Sequence, residues 1–567
     1  MGLNTALYTG LTGLKAHSTM LSVTGNNIAN VNTTGFKRSR AEFETLISQT
    51  LASGTAPSDE WGGSNPTQVG LGTRVEAVRD FTDGALGSTG KSTDMAVEGN
   101  GFFVVNAGGE QRYTRAGNFS LDSDFNLVNP NGALVQGWTA DEGFQIEQGQ
   151  LETLNIPVGA LTIAEATENV RFAGNLNAAG DLATQGTLLT TNTLFADPGA
   201  TVFADGTTDL VDVFNGAGDS LFDLGDVITI SGAMRGGAAL PDRTFEVNNA
   251  NTTDSHAFGT TLNELMQFIN DALGIADDID GGVSIDDGVI QIEGNAGTAN
   301  RLRLRDADLV VNADDVPSMP LAFAEQAEAV GESVRTSFIA YDSLGNEMML
   351  DLTIAFEAKD NAGTTWRYHV QSDDHQALSR HMGSGLMTFN NQGAFVGATQ
   401  ESFNILRDGT GAATPQAINL NFTGDNQNLS ALAGTQSEVA SIDRDGSALG
   451  TLTDFDIGQD GVINGIFSNG LRRNLGQVAM ATFTNNQGLE EVGGNLYRAT
   501  ANSGAAGISN PGTGGTGRLI GRALEMSNVD LAHEFIDMVR ATTGFSANSR
   551  VLTTSDRLLQ ELMNIGR

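Results

Sequence analysis

The two ends of the chain carry one repeating pattern that the residues between them do not share. Near each end, apolar side chains recur at alternating intervals of four and three residues. This is the spacing of a coiled-coil seam, so each end is predicted to be an amphipathic helix. Gly10, Gly13 and Gly25 weaken the first helix, which therefore needs partners to remain folded.

The predicted contact residues of these helices are the large apolar side chains at the seam positions. They are Leu7, Leu11, Leu14, Leu21 and Ile28 near the N-terminus, and Leu531, Phe535, Met538, Phe545, Leu552, Leu559 and Leu562 near the C-terminus. An amphipathic helix packed on its own domain would show the same pattern. Because the two helices flank a β-rich middle, we favour helices that pair with each other and with further copies of the chain.

Short apolar runs separated by Gly and Asn fill the middle of the chain. With 71 Gly and only 6% aromatic residues in 567 residues, tight turns between strands are favoured over a helical bundle, and the length requires several domains. The predicted fold is mixed and mainly β, with paired terminal helices. The expected segments are a coiled-coil helix at 1–30, a hinge or connecting segment at 31–75, a β domain whose two halves lie at 76–165 and 431–505, a second β domain at 166–200 and 316–430, an inserted outer α+β domain at 201–315, a linker at 506–522 and a coiled-coil helix at 523–567.

One helix is predicted inside the inserted domain. The sequence TTLNELMQFINDALG, 260–274, places its apolar residues on one face. Thr261 and Glu264 are spaced as a capping box, and Gly274 follows the last apolar residue as a stop signal.

Charge and cysteine content exclude several classes of function. The formal net charge is −38, and it lies entirely between residues 50 and 525, because the charges of the two ends sum to zero. Nucleic acid would be repelled by such a chain. The chain has no cysteine, which excludes disulfide scaffolds and thiolate metal sites. No apolar run is long enough to span a membrane, and the N-terminus lacks the pattern of a Sec signal peptide.

Four motifs resemble chemical sites, but each has a simpler structural interpretation. GTGGTG, 512–517, lies in a linker-like run instead of between a strand and a helix. HEFID, 533–537, lacks the second histidine of a zinc motif, and the histidines at 369, 375 and 381 have no recognised ligand spacing. DFDIGQDGVING, 454–465, would coordinate Ca²⁺ poorly and is better interpreted as a turn between strands. We therefore expect no catalytic, cofactor-binding or metal-binding residues, and no enzyme.

The stretch NNIANVNTTGFKRSR, 26–40, allows three interpretations: a helix end, a loop that binds an anion, or a joint. Asn side chains can satisfy free backbone groups at a helix end, and glycine permits a sharp turn. The basic patch is small, and two acids follow it. A joint, or hinge, is therefore favoured, and its predicted residues are Asn27, Asn30, Asn32, Thr33, Gly35, Phe36 and Lys37.

Several motifs resemble the bacterial flagellar rod and hook protein family. LSVTGNNIANVNTTGFKRSRAEF, 21–43, is similar to the family's N-terminal signature, and DMAVEGNGFFVV, 94–105, YTRAGNFSLD, 113–122, and NGALVQGW, 131–138, are similar to its first shared β domain. LGQVAMATFTNNQGL, 475–489, and GRALEMSNVDLAHEFIDMVRA, 521–541, resemble its C-terminal half. ATTGFSANSR, 541–550, departs from the family pattern because it lacks the usual Gln-Arg-aromatic run.

This resemblance implies a structural subunit. The long middle of the chain favours a hook subunit over a distal rod or other axial subunit, and the alternative from another class is an acidic calcium-binding surface adhesin. The implied product is a curved, flexible, extracellular tube on the basal body that transmits torque to the filament. The implied partners are many copies of the chain, the distal rod, hook cap and hook–filament junction proteins, and the flagellar type III export apparatus, without nucleic acid, membrane insertion or cofactor.

Overall fold

The computed structural model describes residues 2–253, 255–276, 281–313, 316–424 and 428–565. The chain divides into two compact units, Met1–Thr162 with Thr451–Arg567, and Ile163–Gly450. The α-helices are α1 (Gly2–Ala29), α2 (Leu262–Leu273) and α3 (Leu531–Ile565). Among the described residues, none of these helices is sufficiently long and apolar to cross a membrane.

Strands account for most of the regular structure, which confirms the predicted mainly β fold with terminal helices. Strands β1 to β12 are, in order, Ser39–Thr45, Ser48–Ala52, Thr67–Gly70, Thr73–Arg79, Leu86–Ser88, Met95–Glu98, Phe102–Ala107, Glu110–Thr114, Ser120–Leu121, Leu127–Val128, Leu134–Thr139 and Glu152–Thr153. Strands β13 to β35 are Thr162–Glu165, Asn169–Leu176, Leu188–Thr191, Val227–Ile230, Met234–Arg235, Ala238–Ala239, Arg243–Val247, Ala257–Gly259, Gly282–Asp286, Val289–Glu293, Leu302–Arg303, Leu309–Ala313, Val316–Ser318, Phe323–Ala327, Ser333–Tyr341, Glu347–Lys359, Gly363–Ser372, His381–Asn390, Phe395–Ala398, Ser402–Ile405, Gln416–Asn421, Leu429–Ala431 and Glu438–Arg444. Strands β36 to β44 are Ser447–Ile457, Val462–Phe467, Arg472–Val478, Met480–Thr482, Glu490–Gly493, Leu496–Arg498, Gly507–Ser509, Arg518–Gly521 and Ala523–Glu525.

In the first unit, strands from the two distant halves of the sequence share one sheet. β11 pairs with β38, and β7 pairs with β39, so Gly137 lies opposite Val478 and Phe103 lies opposite Met480. Aromatic side chains from both halves fill the core beneath the sheet, where Tyr497 contacts Phe102 edge to face. Neither half can bury its apolar face without the other.

Two segments predicted as connections contain paired strands. In 31–75, β1 pairs with β4 and β2 pairs with β3, which makes a long two-stranded ribbon. In 506–522, β42 pairs with β39 and β43 pairs with β6. The strands of the first segment find their partners within residues 39–79. Composition suggested a linker in the second segment, but partners far away in sequence satisfy the backbone groups of its strands.

The second unit contains two hydrophobic cores. One lies between the antiparallel sheet β27–β31 and a sheet in which β14 pairs with β33, β34 and β35. Phe356 and Trp366 stack within this core, with ring centroids 4.4 Å apart. Because β35 belongs to this second sheet, the second β domain extends to Arg444, beyond the expected boundary at 430.

The other core belongs to the inserted α+β domain, which is wider than the predicted 201–315. Its buried residues run from Leu189 to Leu321, and the entering strand β15 pairs with the departing strand β26, with Thr191 opposite Phe323. The predicted capping box of α2 is confirmed, since Thr261 accepts a hydrogen bond from the Glu264 amide, and Gly274 ends the helix in the left-handed conformation.

A buried carboxylate in this domain makes its stability depend on pH. Burial disfavours ionisation of Glu246, but hydrogen bonds from Thr252, Asn248 and Thr253 outweigh burial and lower its pKa to about 2. Because the pKa of the folded state is lowered, this stabilisation is complete above a pH of about 4.5 and is lost as the pH falls towards 2.

We expect Glu246→Gln to lower the urea midpoint of the second unit at pH 7, and we expect this difference from the wild type to shrink as the pH approaches 2. The exposed Glu347→Gln is the matched control and should not change the midpoint. An equal effect of Glu246→Gln at both pH values would contradict the role assigned to the charge. Urea titrations followed by circular dichroism at several pH values measure this.

Candidate self-assembly site

The two terminal helices pack side by side and run antiparallel. A Cβ on Gly10 would lie 3.3 Å from Leu552, and one on Gly13 would lie 2.6 Å from the Asn548 side chain. Further along α1, Gly544 of α3 leaves the space that the His17 ring occupies. The glycines that weaken α1 as an isolated helix therefore allow the backbones of the pair to approach closely.

The most buried face of α1 lies one position before the predicted seam. Gly10, Gly13, Thr24 and Asn27 are buried, whereas the seam was predicted at 11, 14, 25 and 28. On α3 the buried side chains include Ala541 and Ser555, which are also small. Small residues occupy the line of closest contact because larger ones would separate the helices.

The predicted contact residues are divided between two environments. Half-buried against the rest of the unit are Leu7, Leu14, Ile28, Met538, Leu552 and Leu559. Exposed to solvent are Leu11, Leu21, Leu531, Phe535, Phe545 and Leu562. The second group is a surface that this chain does not cover by itself.

Further large apolar side chains extend this exposed surface. They are Tyr8 on α1 and Ile536, Val539, Val551, Leu558 and Met563 on α3. We call these six residues and the six exposed seam residues the apolar stripe. Exposed large apolar side chains that are this numerous on two paired helices indicate a site of interaction with another protein. A helix with such a stripe is suited to packing against further helices.

At the end of α1, asparagine side chains hold the chain as it turns into β1. The Asn27 amide donates to the Ser39 carbonyl at 2.7 Å and accepts from the Ser39 amide at 3.0 Å, as an adjacent strand would. Asn30 donates to the carbonyl of Asn26 at 2.9 Å, and Thr33 donates to the Asn30 side chain at 3.1 Å. The remaining predicted asparagine, at position 32, is exposed.

Gly35 lies where the turn touches the β domain. Its φ of +65° is in the left-handed region, and a Cβ there would lie 2.6 Å from the backbone nitrogen of Ala116. Its amide donates to the Glu525 carbonyl at 2.8 Å. The next residue, Phe36, is buried, with the Arg79 guanidinium 6.0 Å from its ring centre. Only glycine can take this conformation without strain and without a clash.

Lys37 makes a fully buried ion pair. Its Nζ lies 2.6 Å from Glu525 Oε1 and donates to the Thr82 carbonyl at 2.7 Å, and neither charged side chain is exposed. The Arg115 guanidinium lies 3.5 Å from the other oxygen of Glu525. Burial, together with the nearby Arg115 charge, lowers the pKa of Lys37. A lysine in this position cannot bind an external anion, so the loop interpretation of residues 26–40 does not hold for Lys37.

A half-buried asparagine next to this ion pair joins the end of α1 to the start of α3. The Asn528 side chain accepts from the Arg38 amide at 2.8 Å and donates to the Asp80 carbonyl at 3.0 Å, three residues before α3 begins. Sequence reasoning missed Glu525, Arg115 and Asn528. A lysine beside a phenylalanine at the start of a β region signals a buried cation that needs an acid, but the sequence does not show which acid is its partner.

Comparisons with known proteins cover the whole chain. Family models match residues 7–37 (flagella basal body rod protein), 96–174 (flagellar hook protein FlgE/F/G D1 domain), 311–447 (flagellar basal body protein FlaE D2 domain) and 521–565 (flagellar basal body rod FlgEFG protein C-terminal). The flagellar hook protein FlgE of Borreliella burgdorferi is 32% identical, and that of Treponema pallidum is 31% identical, each over 99% of both chains. The FlgE of Caulobacter vibrioides is 28% identical over 100% of both chains.

The nested β domains and the exposed terminal helices define a structural axial subunit of the bacterial flagellum. The chain belongs to the flagellar hook protein FlgE family, and its role is that of a hook subunit. The predicted preference for hook over distal rod is confirmed, and these findings give no support to the adhesin alternative.

Proposed function

We propose that copies of this chain polymerise through the apolar stripe of α1 and α3 into the wall of a tube, with the paired helices innermost. The observation that carries the proposal is the stripe itself, where Leu562 and Val539 are 64% and 62% exposed. Burying each such side chain against a neighbouring helix contributes about 1.5–3 kcal/mol. Many weak contacts of this kind hold a polymer together while allowing neighbours to shift.

The junction motif at residues 27–37 sets the direction in which the chain leaves the helix pair. Asn27, Gly35 and Lys37 each make a contact to a β strand or to the segment before α3. Bending of the tube at this hinge would then rotate the helix pair against the β domain as rigid bodies, and the buried ion pair would limit the range of that rotation.

Membership of the family supports a more specific biological role, which is part of the same proposal. The tube is an extracellular, curved universal joint that carries torque from the rod to the filament. Its partners are the distal rod, the hook cap, the hook–filament junction proteins and the type III export apparatus. A chain without cysteine forms no disulfide before export. The protein acts structurally and not as a catalyst.

An exposed aspartate on the stripe tests the polymerisation surface. We expect Leu11→Asp and Leu562→Asp to leave the monomer folded, because both side chains are exposed, and to abolish tube formation, because a charge would be buried in the polymer. Leu224→Asp, at a leucine that is 69% exposed but lies outside the terminal helices, is the matched control and should assemble.

The readout is electron microscopy of a strain that lacks the gene and is complemented with each variant. Basal bodies without hooks are expected for the two leucine variants, and normal hooks for the control. Normal hooks from both leucine variants would refute the proposed surface. Circular dichroism of the purified monomers verifies that they are folded.

Removing the inserted domain tests its proposed position on the outside of the tube. The chain enters and leaves this domain at adjacent points, because the Asn192 amide donates to the Ala322 carbonyl at 3.2 Å. Deletion of residues 193–321 should therefore leave both β domains folded, and we expect tubes of normal length with a smaller outer diameter. Failure to assemble, with both β domains folded by circular dichroism, would contradict an outer position.

A further inference from the structure

The ribbon formed by β1 to β4 ends in a loop that presents a single tryptophan. Trp61 is 79% exposed, more than any other large apolar side chain among the described residues. Hydrogen bonds close its loop, since the Ser58 amide donates to the Trp61 carbonyl at 2.9 Å and the Thr55 and Ser64 hydroxyls lie 2.8 Å apart across the ribbon. The indole therefore lies away from the rest of the unit, in the loop at the end of the ribbon.

A second feature lies beside the middle of the same ribbon. Between the face of β2 and β3 and the two terminal helices there is an open groove of about 480 Å³. Ala6, Leu51, Val69 and Val551 contribute apolar side chains to its lining, and none of the lining residues is charged. Pockets that bury aromatic groups have similar properties, with volumes of roughly 300–1,000 Å³ and mostly apolar walls.

The tryptophan of a chain cannot fill that chain's own groove. Val69 is paired with Gln49 beside the groove, whereas Ser64 is paired with Thr55 near the loop. Val69 and Ser64 are five positions apart along the extended ribbon, a distance of about 16 Å at roughly 3.3 Å per residue. Trp61 lies still farther from the groove, in the loop beyond Ser64. The hydrogen bonds of the ribbon prevent it from folding back.

We propose that Trp61 of one copy of the chain inserts into the groove between the ribbon and the terminal helices of a second copy. The inference rests on the proposed function, in that the groove shares Val551 with the apolar stripe and is continuous with the polymerisation surface. Because Trp61 and the groove lie at different places on one chain, the contact between two copies is heterologous. Such a contact propagates into an open helical assembly when the rotation between copies does not close a ring. Such a contact suits a tubular polymer, because it would join neighbouring copies through the ribbon as well as through the terminal helices.

The first test locates the side chain of residue 61 in assembled tubes. A photoreactive benzoylphenylalanine replaces Trp61, and tubes are assembled from an equal mixture of ¹⁴N-labelled and ¹⁵N-labelled chains and irradiated. We expect mixed-isotope cross-links to peptides of the second copy that contain residues 5–9, 49–51, 69–70 or 549–552, which include the residues that line the groove. Cross-links within one chain or to other surfaces of a second copy would overturn the proposal. The absence of cross-links in well-formed tubes would also overturn it.

The second test separates this contact from the helix contacts and retains natural side chains. Trp61→Ser should raise the critical concentration for assembly at least tenfold, whereas Trp61→Phe should change it about twofold or less. Ala6→Trp, which fills the groove from within the chain, should also raise it at least tenfold. The double variant should then be no worse than either single variant, because both remove one contact. Additive effects would overturn the proposal, whereas tubes that depend on Leu562 but not on Trp61 would overturn it and leave the proposed function intact.

Discussion

Replacing Glu525 by alanine should lower the free energy of unfolding of the first unit by about 3–5 kcal/mol, which is the cost of removing one partner from a buried ion pair. Glu525 is the carboxylate within contact of both Lys37 and Arg115, and all three side chains are fully buried. Lys37 would be left in the interior without its counter-charge, and Arg115 would keep only its ion pair with the partly exposed Asp83. Urea unfolding of the purified monomer measures the change.

Two further variants make the cause of this loss identifiable. Glu490→Ala removes an ion pair with Arg498 in the same unit, but both side chains are about half exposed, so the midpoint should hardly change. Lys37→Met combined with Glu525→Leu removes both charges and should recover part of the stability lost in Glu525→Ala. Equal losses in the free energy of unfolding for Glu490→Ala and Glu525→Ala would show that burial of the carboxylate does not matter, which would contradict this explanation.

Replacing Gly35 by alanine should be the second most damaging change. The left-handed backbone costs a residue with a side chain about 1 kcal/mol. The new Cβ would also lie 2.6 Å from the Ala116 backbone, which cannot rotate away as a side chain could, and overpacking of this kind costs a further ~1–3 kcal/mol. The loss should appear both in urea unfolding of the monomer and in the yield of tubes.

Gly90 provides the matched control for this change. It also has a positive φ, +75°, but a Cβ there would meet no atom within 4 Å. Gly90→Ala should therefore cost only the backbone term of about 1 kcal/mol. Equal losses at the two positions would show that the contact with the β domain does not matter at Gly35.

Some parts of this fold could be predicted because their signals are local. The 4–3 spacing of Leu7, Leu11 and Leu14 predicts a helix from neighbouring residues alone, and the capping box at Thr261 is determined by residues three apart. The ribbon at 39–79 was not predicted because its strands are mostly exposed and lack the alternation of buried and exposed residues that marks a half-buried strand. The strands inside 506–522 were not predicted because their hydrogen-bond partners are distant in sequence and their composition is typical of a linker. The apolar stripe lies in between, since six of its twelve residues were among the predicted contact residues, but the division of those contact residues into half-buried and exposed ones was not predicted.

The sequence by itself therefore determined the terminal helices and the mainly β middle, and it predicted an inserted domain and a junction motif at residues 27–37. These follow from residue periodicity and turn chemistry, which act over a few residues. Only the tertiary structure decided that Lys37 pairs with Glu525, 488 positions away, and that small residues such as Gly13 lie where the helices touch. Such choices depend on which surfaces meet after the two halves of the chain fold together, and no short stretch of sequence contains that information.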